Sequence, residues 1–527
     1  MADGIHVASG VAEAASPDAV EPLTAIQKPE IYIALCAAAG TNLSVIVDEL
    51  SKQLNGVGYT VKEIVISDVF KNFSKYKDIA SITNEDDRIN RLMDAGNEIR
   101  STMEDAGAAS ILAISEIINY RREKSGSFDQ PVEGTAYVIK SLKTVEEYKL
   151  LANLYKDAFF MISAYEPKVA RLKNLSARIA RSKKVNVNDK SVLDSANSII
   201  ERDENESGHA YGQAVREVFQ LADVFVSAHH KCGSQIKRIV NLVFGSPYIT
   251  PSKDEHGMFH AYAASLNSAD LARQVGAVIV NDDGEVISSG CNEVPKVGGG
   301  NIWEEDVPTP SDERRDFGLG YDTTAIMKRE ILTEVVQVIR GEWLKDDFAE
   351  TSDGELVDQM LDKRSRVSLR EARVSNIIEF GRIVHAEMSS IMSAARRGVA
   401  TRGRTLYCTT FPCHMCARHI VAAGIEKVFY IEPYPKSLAK KLYEKEIVLE
   451  DEAPPATKAV RFIPFVGVAP KRYMNWFRAG KRKDDSGWAL KQEGTPQTRK
   501  IARTIWAPPV GEIRYENMLN KLEVLDR

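Results

Sequence analysis

Two short clusters, His385-Ala386-Glu387 and Pro412-Cys413-His414-Met415-Cys416, restrict what this chain can fold into more than anything else in it. Cysteines three apart at the start of a helix turn both sulfurs towards one point, and the helix N-terminus favours thiolate over thiol. A histidine at the start of a second helix supplies a nitrogen to the same point, so any fold of this chain must bring two helix N-termini together. His385, Cys413 and Cys416 then make a three-ligand set for Zn2+. Structural zinc usually takes four protein ligands; three leave a position for water, whose pKa the metal lowers towards neutrality. Glu387 cannot share the direction of His385, but it reaches that water and a substrate ring. A carboxylate there takes a proton from water, passes it to the ring nitrogen beside the attacked carbon, and protonates leaving ammonia. Attack on C4 of a cytosine is the reaction these parts suit.

Taken singly, the same residues carry blander meanings: C-x-x-C alone occurs in structural zinc knuckles and redox pairs, and H-x-E alone at surface helix starts. Joined, with Pro412 before the first cysteine, they form the H-x-E and P-C-x-x-C arrangement of zinc nucleobase deaminases. Six cysteines in 527 residues are too sparse for a disulfide framework and point to metal instead. His414 and His419 read as ordinary helix residues, Cys408 as a core residue of a strand, and Cys291 as a passive part of the pocket wall.

The chain length suits two to four domains. Residues 1–28, Ala-rich and acidic, read as a disordered leader without the apolar core of a signal peptide. From Glu30 to about Gly245, short apolar runs alternate with amphipathic ones, which predicts a doubly wound parallel α/β sheet. Strands are expected at 31–35, 59–66, 136–142, 159–164 and 224–227, with helices at 43–55 and 145–157. The run 110–114 reads either as the end of a helix or as a buried strand. The polar stretch 183–212 reads as a mobile flap. A domain boundary falls at 247–251. Beyond it the expected order is a helix at 258–268, strands at 276–280 and 285–289 around the hairpin turn Asn281-Asp282-Asp283-Gly284, an acidic insertion at 296–382 that is helical around 325–344, then helix 386–397, strand 404–409, helix 415–423 and strand 427–432. The tail 471–503 holds ten Lys/Arg and three acidic residues among aromatics.

The second half resembles the deoxycytidylate deaminase family of the cytidine deaminase superfamily. The stretches that carry the likeness are Val275–Val280, Gly290-Cys-Asn-Glu-Val-Pro295, His385-Ala-Glu387, Leu406–Cys416 and Ala423–Val428. The resemblance implies a cytidine-deaminase-like α/β/α domain over 247–527 and a sugar hydroxyl held by Asn292. It further implies a pocket aromatic at Tyr434, a phosphate contact at Arg273, and a hexameric homo-oligomer. The whole chain resembles long two-domain bacterial deaminases associated with phage defence, through Ser141-Leu-Lys143, Tyr211-Gly-Gln213 and Ala269–Val275. That likeness implies a P-loop kinase-like half over 29–246, deamination of free dCTP and dCMP, and depletion of dCTP against phage.

A working P-loop needs G-x-x-x-x-G-K-[ST], so that backbone N–H groups and a lysine cradle the phosphates. Here the loop is Leu35-Cys-Ala-Ala-Ala-Gly40-Thr41-Asn42, with Leu35 at the first glycine position and Thr41 at the lysine. Phosphoryl transfer is not expected. Nucleotide binding by Gly40, Thr41 and Asn42 at the following helix N-terminus stays open beside a purely structural role and a regulatory one, in which this half answers to a nucleotide or to an RNA or protein inhibitor.

A net charge of −5 excludes a polybasic nucleic-acid binder as the whole chain, and no apolar run reaches the length of a membrane span. A cytoplasmic protein is expected. The basic, aromatic tail keeps a polynucleotide cytosine deaminase acting on RNA or single-stranded DNA in view. So does a non-enzymatic reading in which the zinc is structural and the protein a nucleotide-sensing regulator.

Overall fold

The computed structural model describes residues 28–525, apart from 207–208, 230, 341–342, 344–347, 349, 363–367, 370–371, 373, 375–376, 378–379, 433–436, 450–457 and 491–507. All but the last residue of the expected leader 1–28 lies outside this set, as does Tyr434.

Five strands, β1 (Ile31–Cys36), β2 (Thr60–Val65), β3 (Thr135–Lys140), β4 (Phe159–Tyr165) and β5 (Val224–Ser227), form a parallel sheet in the order β5-β4-β1-β3-β2. The chain between them supplies helices α1 (Leu43–Gly56), α2 (Glu85–Met103), α3 (Ala108–Ser125), α4 (Val145–Tyr155), α5 (Lys168–Lys183) and α6 (Lys190–Glu204), and α7 (Cys232–Val243) follows β5. Every residue of the central strand β1 is buried, since helices cover both faces of a parallel sheet. Ile31, Ile33 and Leu35 pack with Ile46 and Leu50 of α1 and Ile236 of α7. Tyr32 and Ala34 pack on the other face with Ile111 and Ile114 of α3 and Leu151 of α4.

Two expectations are corrected here. Residues 110–114 lie near the start of α3, neither its end nor a strand. Most of 183–212 is no flap: α6 carries Val192, Ala196, Ile199 and Ile200 on one face and buries them against Leu175 and Ile179 of α5 and Met93 of α2.

After α8 (Lys253–Ser265) a second sheet is built from β6 (Gly276–Val280), β7 (Val286–Cys291), β8 (Thr405–Thr410), β9 (Lys427–Glu432), β10 (Ile447–Leu449) and β11 (Val460–Pro464), in the order β10-β11-β9-β8-β6-β7. β6 runs antiparallel to β7 and β8, while β8, β9, β11 and β10 pair in parallel. The insertion holds α9 (Thr323–Arg340), whose Leu332 and Val336 pack on Leu356 and Val357 in a small core of their own. Two helices then carry the clusters singled out above: α10 (Ala386–Arg396) and α11 (His414–Ala422). Gly290 lets α10 lie close on β7, for a Cβ there would sit 2.7 Å from the Ala386 carbonyl oxygen.

The chain then crosses back. β12 (Gly467–Val468) pairs antiparallel with β5, α12 (Pro470–Phe477) buries Trp476 against Phe160, and α13 (Pro508–Glu516) docks on α3. The first part of the basic tail is therefore packing material: Tyr473 stacks on Phe259 at 4.2 Å and Arg472 holds Asp223 at 2.9 Å. Phe225 meets Phe465 at 5.9 Å, so the core runs on between the two halves. No described helix is long and apolar enough to cross a membrane.

Candidate active site

His385 is the N-cap of α10 and Cys413 the N-cap of α11, so each stands at the mouth of a helix whose free N–H groups favour negative charge. The Cys416 N–H donates to Cys413 Sγ at 3.4 Å, and His385 Nδ1 lies 3.3 Å from Cys413 Sγ and 3.4 Å from Cys416 Sγ. The donor atoms of the three residues fall within 4.8 Å of one another, the only such His/Cys/Asp/Glu group among the described residues.

A tetrahedral ion with Zn–S of about 2.3 Å and Zn–N of about 2.0 Å sets nitrogen and sulfur roughly 3.5 Å apart, so the donor set fits zinc. The charge state fits as well. A hydrogen bond from Cys416, helped by His385 and a backbone N–H, draws the Cys413 pKa down to about 4. The hydrogen bond with Cys413 pushes His385 up to about 9, while the same neighbour and burial push Cys416 well above the ordinary thiol range. The cluster thus holds a thiolate and the protons that a divalent cation displaces when it binds.

Glu387, 2% exposed, lies in the first turn of α10. Burial pushes its pKa up and the Cys413 thiolate adds to this, against the pull of His385. The walls are pinned from several sides. Phe411 N–H donates to the Glu432 carbonyl at 2.7 Å, fixing the loop into Cys413, and Val384 forms a β-bridge with Glu293, fixing the strand into His385. Cys408 and Cys291 are buried, and neither joins the donor group. His414 and His419 lie in α11 outside it.

Asn292 is buried and organised by the protein. Its Nδ2 donates to Asp270 Oδ2 at 2.6 Å and to the Arg273 carbonyl at 2.8 Å, while its Oδ1 accepts the Val275 N–H at 2.7 Å. Both amide hydrogens are used, which leaves one lone pair on Oδ1 to accept a hydroxyl hydrogen. Arg273 is paired with Glu432 at 2.8 Å. Burial pushes the Glu432 pKa up against the pull of Arg273. Asp270, Glu293 and Glu432 were not singled out from sequence. Asp270 falls inside the Ala269–Val275 stretch, whereas Glu432 has no local mark, since it meets Arg273 only through the sheet.

The loop Gly40-Thr41-Asn42 belongs to the first half and contributes nothing to the donor group. Two backbone donors at this turn are already taken by carboxylates: Ala39 N–H donates to Asp203 Oδ2 at 2.6 Å and Asn42 N–H to Glu166 Oε2 at 2.7 Å. Asp203 in turn pairs with Lys143 at 2.6 Å.

Residues 251–432 match the family described as "Cytidine and deoxycytidylate deaminase zinc-binding region". The chain is 32% identical over 178 residues to the deoxycytidylate deaminase of Enterobacteria phage T2, covering 34% of this chain and 78% of the phage protein. The chain belongs to the deoxycytidylate deaminase family. It is also 40% identical over 65 residues to ComE operon protein 2 of Bacillus subtilis, a match covering 12% of this chain and 34% of that protein. Among solved structures, the dCMP deaminase of cyanophage S-TIM5 in its apo form aligns with 41% of this chain and 100% of its own, at 16% identity and a TM-score of 0.21. The match to the phage T2 protein spans 178 of the 527 residues of this chain.

Proposed function

We propose that the chain hydrolytically deaminates free deoxycytidine nucleotides, dCMP or dCTP, to the deoxyuridine nucleotides, with Zn2+ held by His385, Cys413 and Cys416. The observation that carries this is a buried carboxyl, Glu387, in the first turn of the helix that His385 caps, beside a three-donor cluster that lacks a fourth protein ligand among the described residues. When bound there, zinc supplies Lewis-acid activation of water. Glu387 moves the protons: it takes one from water and gives it to the ring nitrogen beside C4, then takes the one left on the new C4 hydroxyl and gives it to the departing amine, so that a C4 carbonyl and ammonia form and the carboxyl ends as it began. Asn292 accepts the sugar hydroxyl and Arg273 meets the phosphate, which competes there with Glu432. Tyr434 is proposed to line the base pocket.

In the first half, a P-loop kinase-like body, phosphate reaches Gly40, Thr41 and Asn42 only by displacing Glu166 and Asp203. We propose that this half is regulatory, that the protein assembles as a homo-oligomer, and that its activity depletes dCTP against phage. Ammonia release from dCMP, dCTP, cytidine and a short single strand by the zinc-loaded full chain tests the substrate. Turnover of the nucleotides that Glu387→Ala abolishes is expected. Faster turnover of the strand, or equal activity of the variant, sinks the reading.

A further inference from the structure

Every polar atom of Asn292 is hydrogen-bonded, and all the partners come from one short stretch of chain, 268–275. The Asn292 N–H donates to the Val275 carbonyl at 3.1 Å, and the Asn292 carbonyl accepts the Ser268 hydroxyl at 2.7 Å. In the side chain, Oδ1 accepts the Val275 N–H at 2.7 Å, while Nδ2 donates to the Arg273 carbonyl at 2.8 Å and to Asp270 Oδ2 at 2.6 Å. The same stretch is fastened to the metal donors. Ala269 N–H donates to Glu293 Oε2 at 2.7 Å, and the Glu293 backbone forms the bridge to Val384, the residue before His385. The amide of Asn292 and the imidazole of His385 therefore share one frame. Asp270 is locked into it, since its other oxygen accepts the Ala272 N–H at 2.7 Å.

This arrangement fixes what Asn292 has to offer. A carboxylate only accepts, so Asp270 draws the NH2 end of the amide towards itself, and Val275 and Arg273 demand the same orientation. Both amide hydrogens are spent, and one lone pair on Oδ1 remains. Whatever meets that lone pair must bring its own hydrogen. In a deoxycytidine nucleotide the 5′ oxygen is esterified, which leaves the 3′-hydroxyl as the sole sugar hydroxyl. A hydrogen bond to an ionised partner is stronger than a neutral one, and bonds in a chain polarise one another, so the Asp270 carboxylate also makes Oδ1 a better acceptor.

We propose that Asp270 is a positioning residue for the sugar: through Asn292 it makes the contact with the 3′-hydroxyl acceptor-only and so selects a nucleotide that carries a donor there. The inference rests on the deamination proposed above. Its rival is a carboxylate that merely builds the loop, and the two separate in how the loss of Asp270 falls on substrates with and without the hydroxyl.

The test compares kcat/KM of the zinc-loaded full chain for dCMP, its 2′,3′-dideoxy analogue and its 3′-fluoro analogue. The parent should turn over both analogues roughly 5–150-fold less efficiently than dCMP, the consequence of leaving one buried acceptor unpaired. Fluorine cannot donate, so the fluoro compound should fare no better than the dideoxy one. In Asp270→Ala the dCMP value should fall about fivefold, chiefly through KM, while the dideoxy value stays nearly constant. Asp270→Asn keeps an acceptor without the charge and should restore most of the ratio, leaving it about twofold below the parent's. That variant decides the matter if Asp270→Ala does not fold. An unchanged ratio in the variants, or losses shared equally by dCMP and the dideoxy analogue, makes Asp270 a support of the loop and overturns the proposal. A 3′-fluoro analogue that matches dCMP in the parent overturns it as well, since Asn292 would then be donating. No turnover of dCMP by the parent removes the deaminase reading and this proposal together, whereas equal losses in a variant remove this proposal alone.

Discussion

The chain makes the turn from a parallel strand into a helix in both halves, and the two turns treat the same electrostatic demand differently. At the end of β8 the N-terminus of α11 is met by the Cys413 thiolate, which at the same time faces His385 and Cys416 across a space the size of an ion. At the end of β1 the corresponding N–H groups are met by Asp203 and Glu166, carboxylates of the protein itself, with Lys143 closing the charge. A helix N-terminus attracts anions in either case. What differs is whether the anion leaves a free side. The thiolate does, and chemistry follows; the carboxylates do not, and the first turn becomes architecture.

Exchanging groups on the two sides should therefore separate rate from stability. The largest effect belongs to Glu387→Gln, which keeps the shape and loses the proton carrier. Its kcat should fall by roughly 10²–10⁴, the usual worth of a positioned acid–base group, while zinc content and the unfolding midpoint stay near those of the parent. Retained turnover would place the proton transfer elsewhere.

Next in size is Arg121, fully buried in the first half and held by Glu30 at 2.7 Å and by Glu512, which arrives from α13. Tyr32 also accepts from it at 2.7 Å. Arg121→Ala leaves buried carboxylates without their cation and should cost about 3–5 kcal/mol in urea unfolding. The kcat of the molecules that remain folded should be unchanged. A loss of kcat with intact stability would contradict the division of labour.

The legibility of these features follows their range along the chain. The five parallel strands of the first sheet and β6, β7, β8 and β9 of the second show in the sequence as short apolar runs, and the Asp-Gly hairpin announces itself, whereas the short β10 and β11 are missing from the expected order. His385, Cys413 and Cys416 show because each cluster is local and chemically unusual. The run 110–114 is ambiguous because α3 is buried on nearly every side there, which erases the helical period. α6 has the period, in Val192, Ala196, Ile199 and Ile200, but its charged remainder hides it. The return of Gly467–Val468 to the first sheet involves two residues and leaves no pattern at all. Glu166 and Asp203 reach their N–H groups across 124 and 164 positions, so nothing near Gly40 foretells that the loop is filled.

That filled loop can be opened. Glu166→Ala removes the acceptor of the Asn42 N–H and of Asn174 Nδ2, and should destabilise the first half by about 1–3 kcal/mol. If the N-terminus of α1 keeps its affinity for anions, pyrophosphate should bind the variant more tightly than the parent in isothermal titration and restore part of its melting temperature. Indifference to pyrophosphate would mean that the loop is structural in every sense, and the contrast with the β8 turn would be absolute.

The smallest effect expected is at the helix that joins the halves. α8 starts with a capping box in which Ser252 Oγ accepts the Glu255 N–H at 3.1 Å and Glu255 accepts the Ser252 N–H at 2.7 Å. The two members are unequal. Ser252 serves only the helix start, so Ser252→Ala should cost about 1 kcal/mol. Glu255 also pairs with Arg238 of α7 at 2.7 Å and accepts the Val468 N–H of β12 at 2.8 Å, so it fastens the second half to the first. Glu255→Ala should therefore cost clearly more than Ser252→Ala, and in a double-mutant cycle the excess should shrink when Arg238 is also removed, leaving the part owed to the Val468 N–H. Equal costs for the two single variants would mean that Glu255 adds nothing to the joint beyond its helix cap, and that the seam depends on the other contacts that cross it, the pairing of β12 with β5, the Arg472–Asp223 pair and the packing of Phe225 on Phe465.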